Sequence, residues 1–300
     1  MLKKFEIDKN PFSTGTFALD NINDEISLYK KLSLLLKEET LLELFAAINK
    51  NEQHLVEYIY YDYRHKIYEA LMETSLKQCA NTLSDKIVDE FKNRDMYFLY
   101  YSLLISENKI NINFEKEMIN KTDKGAVVNV LHYDIYQIVP LIMSKNLDRE
   151  LIFYADGGAL DRIMNLIIHL NPKIKSKITI LPLEYSSVIK AMRKVKKGGI
   201  LFIMPEINPN KAKNNFKRIR FLGTEIFVPV GSVRISYKCA VPSYLAYFDR
   251  DENRLYLNSV EVTENEGSTV KKLWNEIEEI IKNKPEKWSI WEKWNDIRRY

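Results

Sequence analysis

Past the polar break at residues 120–124 (NKTDK), short apolar runs alternate with longer stretches of helical spacing, and this alternation restricts the fold more than any other feature. Residues 125–131 (GAVVNVL), 150–155, 177–181 and 200–204 are short, apolar and β-branched, the character of strands buried on both faces. Between them, residues 160–170 and 185–196 carry apolar side chains at helical intervals, and Gly198 and Gly199 supply a C-terminal stop. Repeated units of this kind build a mainly parallel sheet with helices on its faces. Strands are also predicted over 225–228, 242–249 and 254–262, with helices over 231–237 and 270–282. The predicted class is therefore α/β, a mainly parallel mixed sheet flanked by helices.

The chain ahead of residue 110 has a different texture. Residues 1–22 hold the turn formers Asn10, Pro11, Ser13 and Gly15. From Asn23, a helix cap, the residues Ile26, Tyr29, Leu32, Leu35 and Leu36 recur at helical spacing. Helical character continues over 40–49, 52–77 and 84–106. The predicted division is an all-helical N-terminal region, residues 1–118, followed by an α/β domain, residues 119–300. His54 and His65 lack partners at metal-site spacing, and Glu69 four residues after His65 is an ordinary surface pair. Tyrosines 58, 60, 61, 63 and 68 read as core or interface packing, with an apolar groove for a lipid chain as the functional alternative.

Composition excludes several classes. With 300 residues and 46% hydrophobic content the chain buries a sizeable core. A formal charge of +4 from 45 basic and 41 acidic residues does not call for nucleic acid as a partner. Cys79 and Cys239 lie far apart, suggesting neither a disulfide framework nor zinc, so a reducing cytoplasm is the expected home. The N-terminus lacks the apolar run of a signal peptide, and the longest such run, 96–105, is about half the ~20 residues that span a bilayer. Membrane contact would thus be peripheral. Gly157-Gly158 after a strand hints at a phosphate loop, but no GxGxxG or GxxxxGK[ST] is present.

Three features of the second region converge on chemistry. His132 closes the run GAVVNVLH, ahead of residues with helical spacing from Tyr133 onward. Ligands of open α/β sheets bind at the carboxyl ends of strands, so a titratable group there is a candidate base. Glu206 lies just beyond the strand of KKGGILFIMPE, and a basic loop over 211–220, with Lys211, Lys213, Lys217, Arg218 and Arg220, leads to Phe221-Leu222-Gly223. A base, an acid and a cationic loop at one sheet edge suit acyl transfer from a phosphate-bearing carrier.

A strand, a histidine, KKGGILFIMPE, RIRFLG, FVPVGS and PEKWSIWEKW, in that order, resemble the bacterial lipid A late acyltransferases of the lysophospholipid acyltransferase superfamily, over about residues 120–300. The resemblance implies a glycerolphosphate acyltransferase-like fold and transfer of an acyl group from a coenzyme A or acyl-carrier-protein thioester to a hydroxyl or amine. It implies no metal and no cofactor beyond that donor. Cysteine use and the lack of a long apolar run, in contrast, are what point to a cytoplasmic location with peripheral contact at the inner face of the membrane. The family's signature is a histidine followed, after four residues, by aspartate or glutamate; here that position is Gln137. His132 is then the expected general base and Gln137 its orienter, through an amide oxygen that brings no charge. Asp134 points away from their shared helical face, and Glu206 is the candidate for the missing charge, lining the acceptor or phosphate site with Arg220. Lys217, Arg218, Arg220 and Gly223 are expected to bind substrate or its phosphates. Trp288, Trp291 and Trp294 are expected to dock the C-terminus, with an interfacial anchor beside lipid as the alternative. The rival expectation is a non-catalytic member of the fold that binds an acyl chain, a carrier protein or another partner, Gln137 marking lost chemistry.

Overall fold

The computed structural model describes residues 57–120, 123–155, 172–182, 184–207 and 215–298, together with Met164, Ile167 and Ile168. In chain order its elements are α1 (Glu57–Met72), α2 (Ala80–Ser106), β1 (Asn113–Phe114), the single turn α3 (Glu117–Asn120), β2 (Ala126–Val130), α4 (Val139–Asn146), β3 (Leu151–Ala155) and β4 (Ile178–Pro182). They continue with α5 (Tyr185–Lys196), β5 (Ile200–Ile203), β6 (Phe216–Phe221), β7 (Thr224–Pro229), α6 (Gly231–Cys239), β8 (Ser243–Asp249), β9 (Arg254–Val260), α7 (Glu266–Asn283) and α8 (Trp294–Arg298).

Seven strands form one mixed sheet in the order β1-β9-β8-β2-β5-β3-β4. From β8 to β4 every pairing is parallel, whereas β9 runs antiparallel to β8 and carries β1 parallel to itself. The chain is thus an α/β protein with a mostly parallel sheet. Asn113 and Phe114 join the sheet ahead of residue 119, and α2 packs on it directly.

The alternation of side chains explains the layers. All five residues of β2 are buried. Ala126, Val128 and Val130 enter a core shared with α2 and α4, and Val127 enters one shared with α5 and α6. Each buried valine contributes about 1.5–3 kcal/mol relative to exposure. A third core joins α1, the start of α2, the antiparallel β6–β7 hairpin, α7 and the C-terminal tryptophans. Gly198 and Gly199 end α5 as expected: their amides donate to Val195 and Lys194, and Gly198 has φ +102°. An added Cβ at Gly125 would lie 2.2 Å from the carbonyl oxygens of Gly199 and Val195, so glycine is what lets β2 enter against this turn.

Several local expectations need correction. The helix after His132 does not begin at Tyr133; a 3₁₀ turn starts at Tyr136 and α4 at Val139, with Pro140 in its first turn. Asp134 sits at φ +51°, which a continuing helix excludes. The basic loop is a strand from Phe216, because Phe216–Phe221 pairs with Thr224–Pro229, and Ile219 and Phe221 pack into the third core. Residue 270 is not the start of the last long helix, since the Asn265 side chain accepts from the Ser268 amide and caps α7 earlier. The helices predicted within 23–49, His54, Gly157-Gly158, Lys211, Lys213 and most of 160–170 lie outside the described residues.

Candidate active site

The site grows out of the β2–β5 pairing. Asn129 is the register partner of Ile203, and three residues further along each chain stand His132 and Glu206. Parallel neighbours carry their carboxyl ends to the same edge, so two residues 74 apart in sequence meet there.

Glu206 holds His132 at two points. Its Oε1 accepts the His132 main-chain N–H at 3.0 Å, and its Oε2 lies 3.0 Å from Nδ1. The Trp288 indole N–H donates to the same Oε1 at 3.0 Å. The His132 and Glu206 side chains are only 5% and 0% exposed. Three N–H groups therefore converge on one buried carboxylate, which satisfies a group that would otherwise be costly to bury. A carboxylate beside Nδ1 favours the tautomer that carries its proton there, which leaves Nε2 as the ring atom available to take a proton. Nε2 has no hydrogen-bond partner among the described residues, and the ring packs on Tyr136 with centroids 4.5 Å apart.

Gln137 does not take the role expected of it. It is buried in the 3₁₀ turn, its Oε1 has no hydrogen-bond partner, and the Nδ1 of the ring is paired with Glu206 instead. Glu206, expected to bring the missing charge, pairs with His132 directly. Asp134 is buried and ion-paired, with Lys287 Nζ at 3.0 Å and an Arg250 guanidinium nitrogen at 3.2 Å.

Lys217, Arg218 and Arg220 are exposed along β6, and Arg218 pairs with Glu225. None of them hydrogen-bonds His132 or Glu206. Gly223 has φ +83° in the hairpin turn, where neighbouring Leu222 accepts from the Ser75 amide at 2.7 Å. The inner side of that hairpin does reach the site: Phe221 packs edge-on against Trp288 at 5.9 Å, and Trp288 bonds Glu206.

Trp288, Trp291 and Trp294 are 0%, 0% and 1% exposed, which places them in the docking role rather than at a lipid interface. The indole bond to Glu206 was not foreseen, although the spacing of these tryptophans marked the segment. Also unforeseen is Tyr63, whose hydroxyl donates to Glu292 at 3.3 Å. Burial pushes the Glu292 carboxyl up, opposed by Lys293, Arg94 and His132. A shallow, open cleft lies beside this segment, with Tyr63, Phe91, Arg94, Trp288 and Ser289 in its wall. His65 meets Glu69 at 3.3 Å on the open surface of α1, as expected of a plain surface pair. No described helix is long and apolar enough to cross a membrane.

Comparison of the sequence with protein-family models and with curated proteins finds no match.

Proposed function

We propose that the chain is an acyltransferase of the lysophospholipid acyltransferase type, moving an acyl group from a coenzyme A or acyl-carrier-protein thioester to a hydroxyl or amine. The observation that carries the reading is the buried His132–Glu206 pair at the sheet's carboxyl edge. In this reading His132 Nε2 takes the proton of the acceptor as its oxygen or nitrogen attacks the thioester carbonyl carbon. The C–S bond then breaks, and the imidazolium returns the proton to the departing sulfur, which leaves as the thiol and restores the neutral histidine. Glu206 stabilises that imidazolium, supplying from β5 the charge that Gln137 does not bring. The exposed Lys217, Arg218 and Arg220 would meet phosphates of the donor or head group, and the helical region would supply part of the acyl groove. The site would work at the cytoplasmic face of a membrane, with peripheral contact.

A second reading has one observation in its favour: His132 is only 4% exposed. On that reading the pair is structural, and the chain binds an acyl chain, a carrier or a partner without chemistry. One experiment separates them. Purified protein is incubated with acyl-CoA or acyl carrier protein, with and without acceptors, and thiol release is followed for wild type and His132→Ala. Release that requires His132 supports the transferase; equal background from both, with acyl ligand still bound, supports the binding protein.

A further inference from the structure

The three residues at the His132 turn are held by three residues of the C-terminal segment. His132 O accepts from both the Ser289 amide at 2.8 Å and the Ser289 hydroxyl at 3.1 Å. Tyr133 forms a β-bridge with Trp288, and the Asp134 amide donates to Lys287 O at 2.7 Å. Trp288, in the middle of this strap, is also the residue that reaches Glu206. The strap thus touches both members of the dyad.

Its anchor is electrostatic. Lys287 is 4% exposed, and its Nζ lies 3.0 Å from Asp134, 2.8 Å from Asp249 and 2.7 Å from Asp251. Arg250 approaches the other Asp134 oxygen, binds Glu90 of α2 at 2.6 Å and donates its amide to Asp134 at 3.1 Å. Lys284 adds contacts of 2.7 and 3.1 Å to Asp249 and Asp251. Charges are expensive to bury, and such pairs often add little net stability over apolar packing of the same shape. A cluster two residues from a reactive histidine therefore calls for a role other than stability alone.

We propose that Asp134 and Lys287 are positioning residues: their ion pair fastens the strap to the His132 turn and thereby sets the geometry of the His132–Glu206 dyad. Neither residue touches the reacting atoms. Asp134 acts through the backbone of the turn, where aspartate and asparagine tolerate its positive φ better than most residues. Lys287 acts through Trp288 and Ser289. This inference rests on the acyltransferase reading for its effect on rate, but not for its effect on the ring.

The test uses the full chain and four forms: wild type, Asp134→Asn, Lys287→Met and Lys287→Arg. Asp134→Asn keeps the shape and backbone tolerance while removing the charge, and Lys287→Arg keeps the charge. The ring nitrogens of His132 are followed by ¹⁵N NMR alongside steady-state thiol release. The expected result for Asp134→Asn and Lys287→Met is a changed Nδ1–H signal and a fall in kcat of about 10- to 100-fold, with KM for the thioester within about twofold. Lys287→Arg is expected to keep the wild-type ring signal and most of the rate. Folded Asp134→Asn and Lys287→Met with wild-type ring signals overturn the inference. Should wild type release no thiol, the transferase reading fails, and the ring signals still decide whether the strap sets the dyad. Should Lys287→Met fail to fold, Asp134→Asn against Lys287→Arg carries the comparison.

Discussion

Glu206 and His132 are joined twice, once through the main-chain amide of His132 and once through its ring, each contact at 3.0 Å. The first contact fixes where the residue sits and the second fixes which way the ring faces. Glu206→Gln keeps the size of the side chain but places an NH₂ group where an acceptor is needed. Thiol release by this variant is expected to fall about 10²- to 10⁴-fold, the usual worth of a positioned base. An unchanged rate would mean that the carboxylate has no part in the chemistry.

Trp288→Phe tests the third donor on Glu206. Phenylalanine keeps an aromatic ring among Phe221, Trp291 and Trp294 but has no N–H to donate. Loss of one hydrogen bond to a charged group is expected to lower stability by about 1.5–3 kcal/mol, read as a shift of the urea midpoint. Trp288→Ala is expected to cost about 3–5 kcal/mol, because it also opens a cavity. Equal stability of Trp288→Phe and wild type would deny the bond any weight.

Gln137 gives a prediction of opposite sign. Its buried Oε1 has no partner, so Gln137→Leu removes an unsatisfied group at little loss of volume. The expected outcome is stability unchanged or raised by up to about 1 kcal/mol, with thiol release retained. Gln137→Glu is expected to destabilise the fold, since it buries a charge with no partner provided, and not to raise activity. A gain of activity in Gln137→Glu would return the orienting role to position 137.

Stability is expected to fall in strong alkali. Burial pushes the Tyr101, Tyr154 and Tyr247 hydroxyls up to about 12. Unfolded tyrosines lose their protons near pH 10, so between about pH 10 and 12 the unfolded chain releases protons that the folded chain keeps, and stability drops as pH rises. Lys284 and Lys287 act in the same direction: burial opposes their charge, but Asp249, Asp251 and, for Lys287, Asp134 outweigh it and raise them. Asp249 and Asp251 define the acid limb. Burial would raise them, yet the two lysines hold them below the ordinary carboxylate range. Their contribution is present above about pH 4 and is lost as pH falls through their folded values. Urea midpoints measured across the range check both limbs; stability that rises from pH 10 to 12 would contradict the alkaline one.

Much of this architecture was legible because buried parallel strands leave a strong mark. β2 and β5 are short apolar runs preceded by glycine, and their adjacency brings His132 and Glu206 to one edge. What could not be read depends on partners distant in sequence. Tyr133, Tyr136 and the apolar residues after them have helical spacing, yet Tyr133 is claimed by Trp288, 155 positions on, and Asp134 by Lys287 and Arg250. The strand at Phe216–Phe221 looked like a cationic loop because three of its six side chains are charged and face outward. Glu206 was legible as the source of the charge beside His132, because neighbouring strands bring their carboxyl ends together; its second contact, with the His132 main-chain amide, was not. A four-residue spacing drew attention to Gln137, whereas the register of two strands selected Glu206.

The claim that His132 and Glu206 work as one unit is tested most directly by a double-mutant cycle on thiol release: wild type, His132→Ala, Glu206→Gln and the double variant, each at matched folded concentration. Each single change is expected to remove most of the rate, and the double variant to be no slower than His132→Ala, as residues acting together behave. Losses that multiply, or wild-type release that survives His132→Ala, would contradict it.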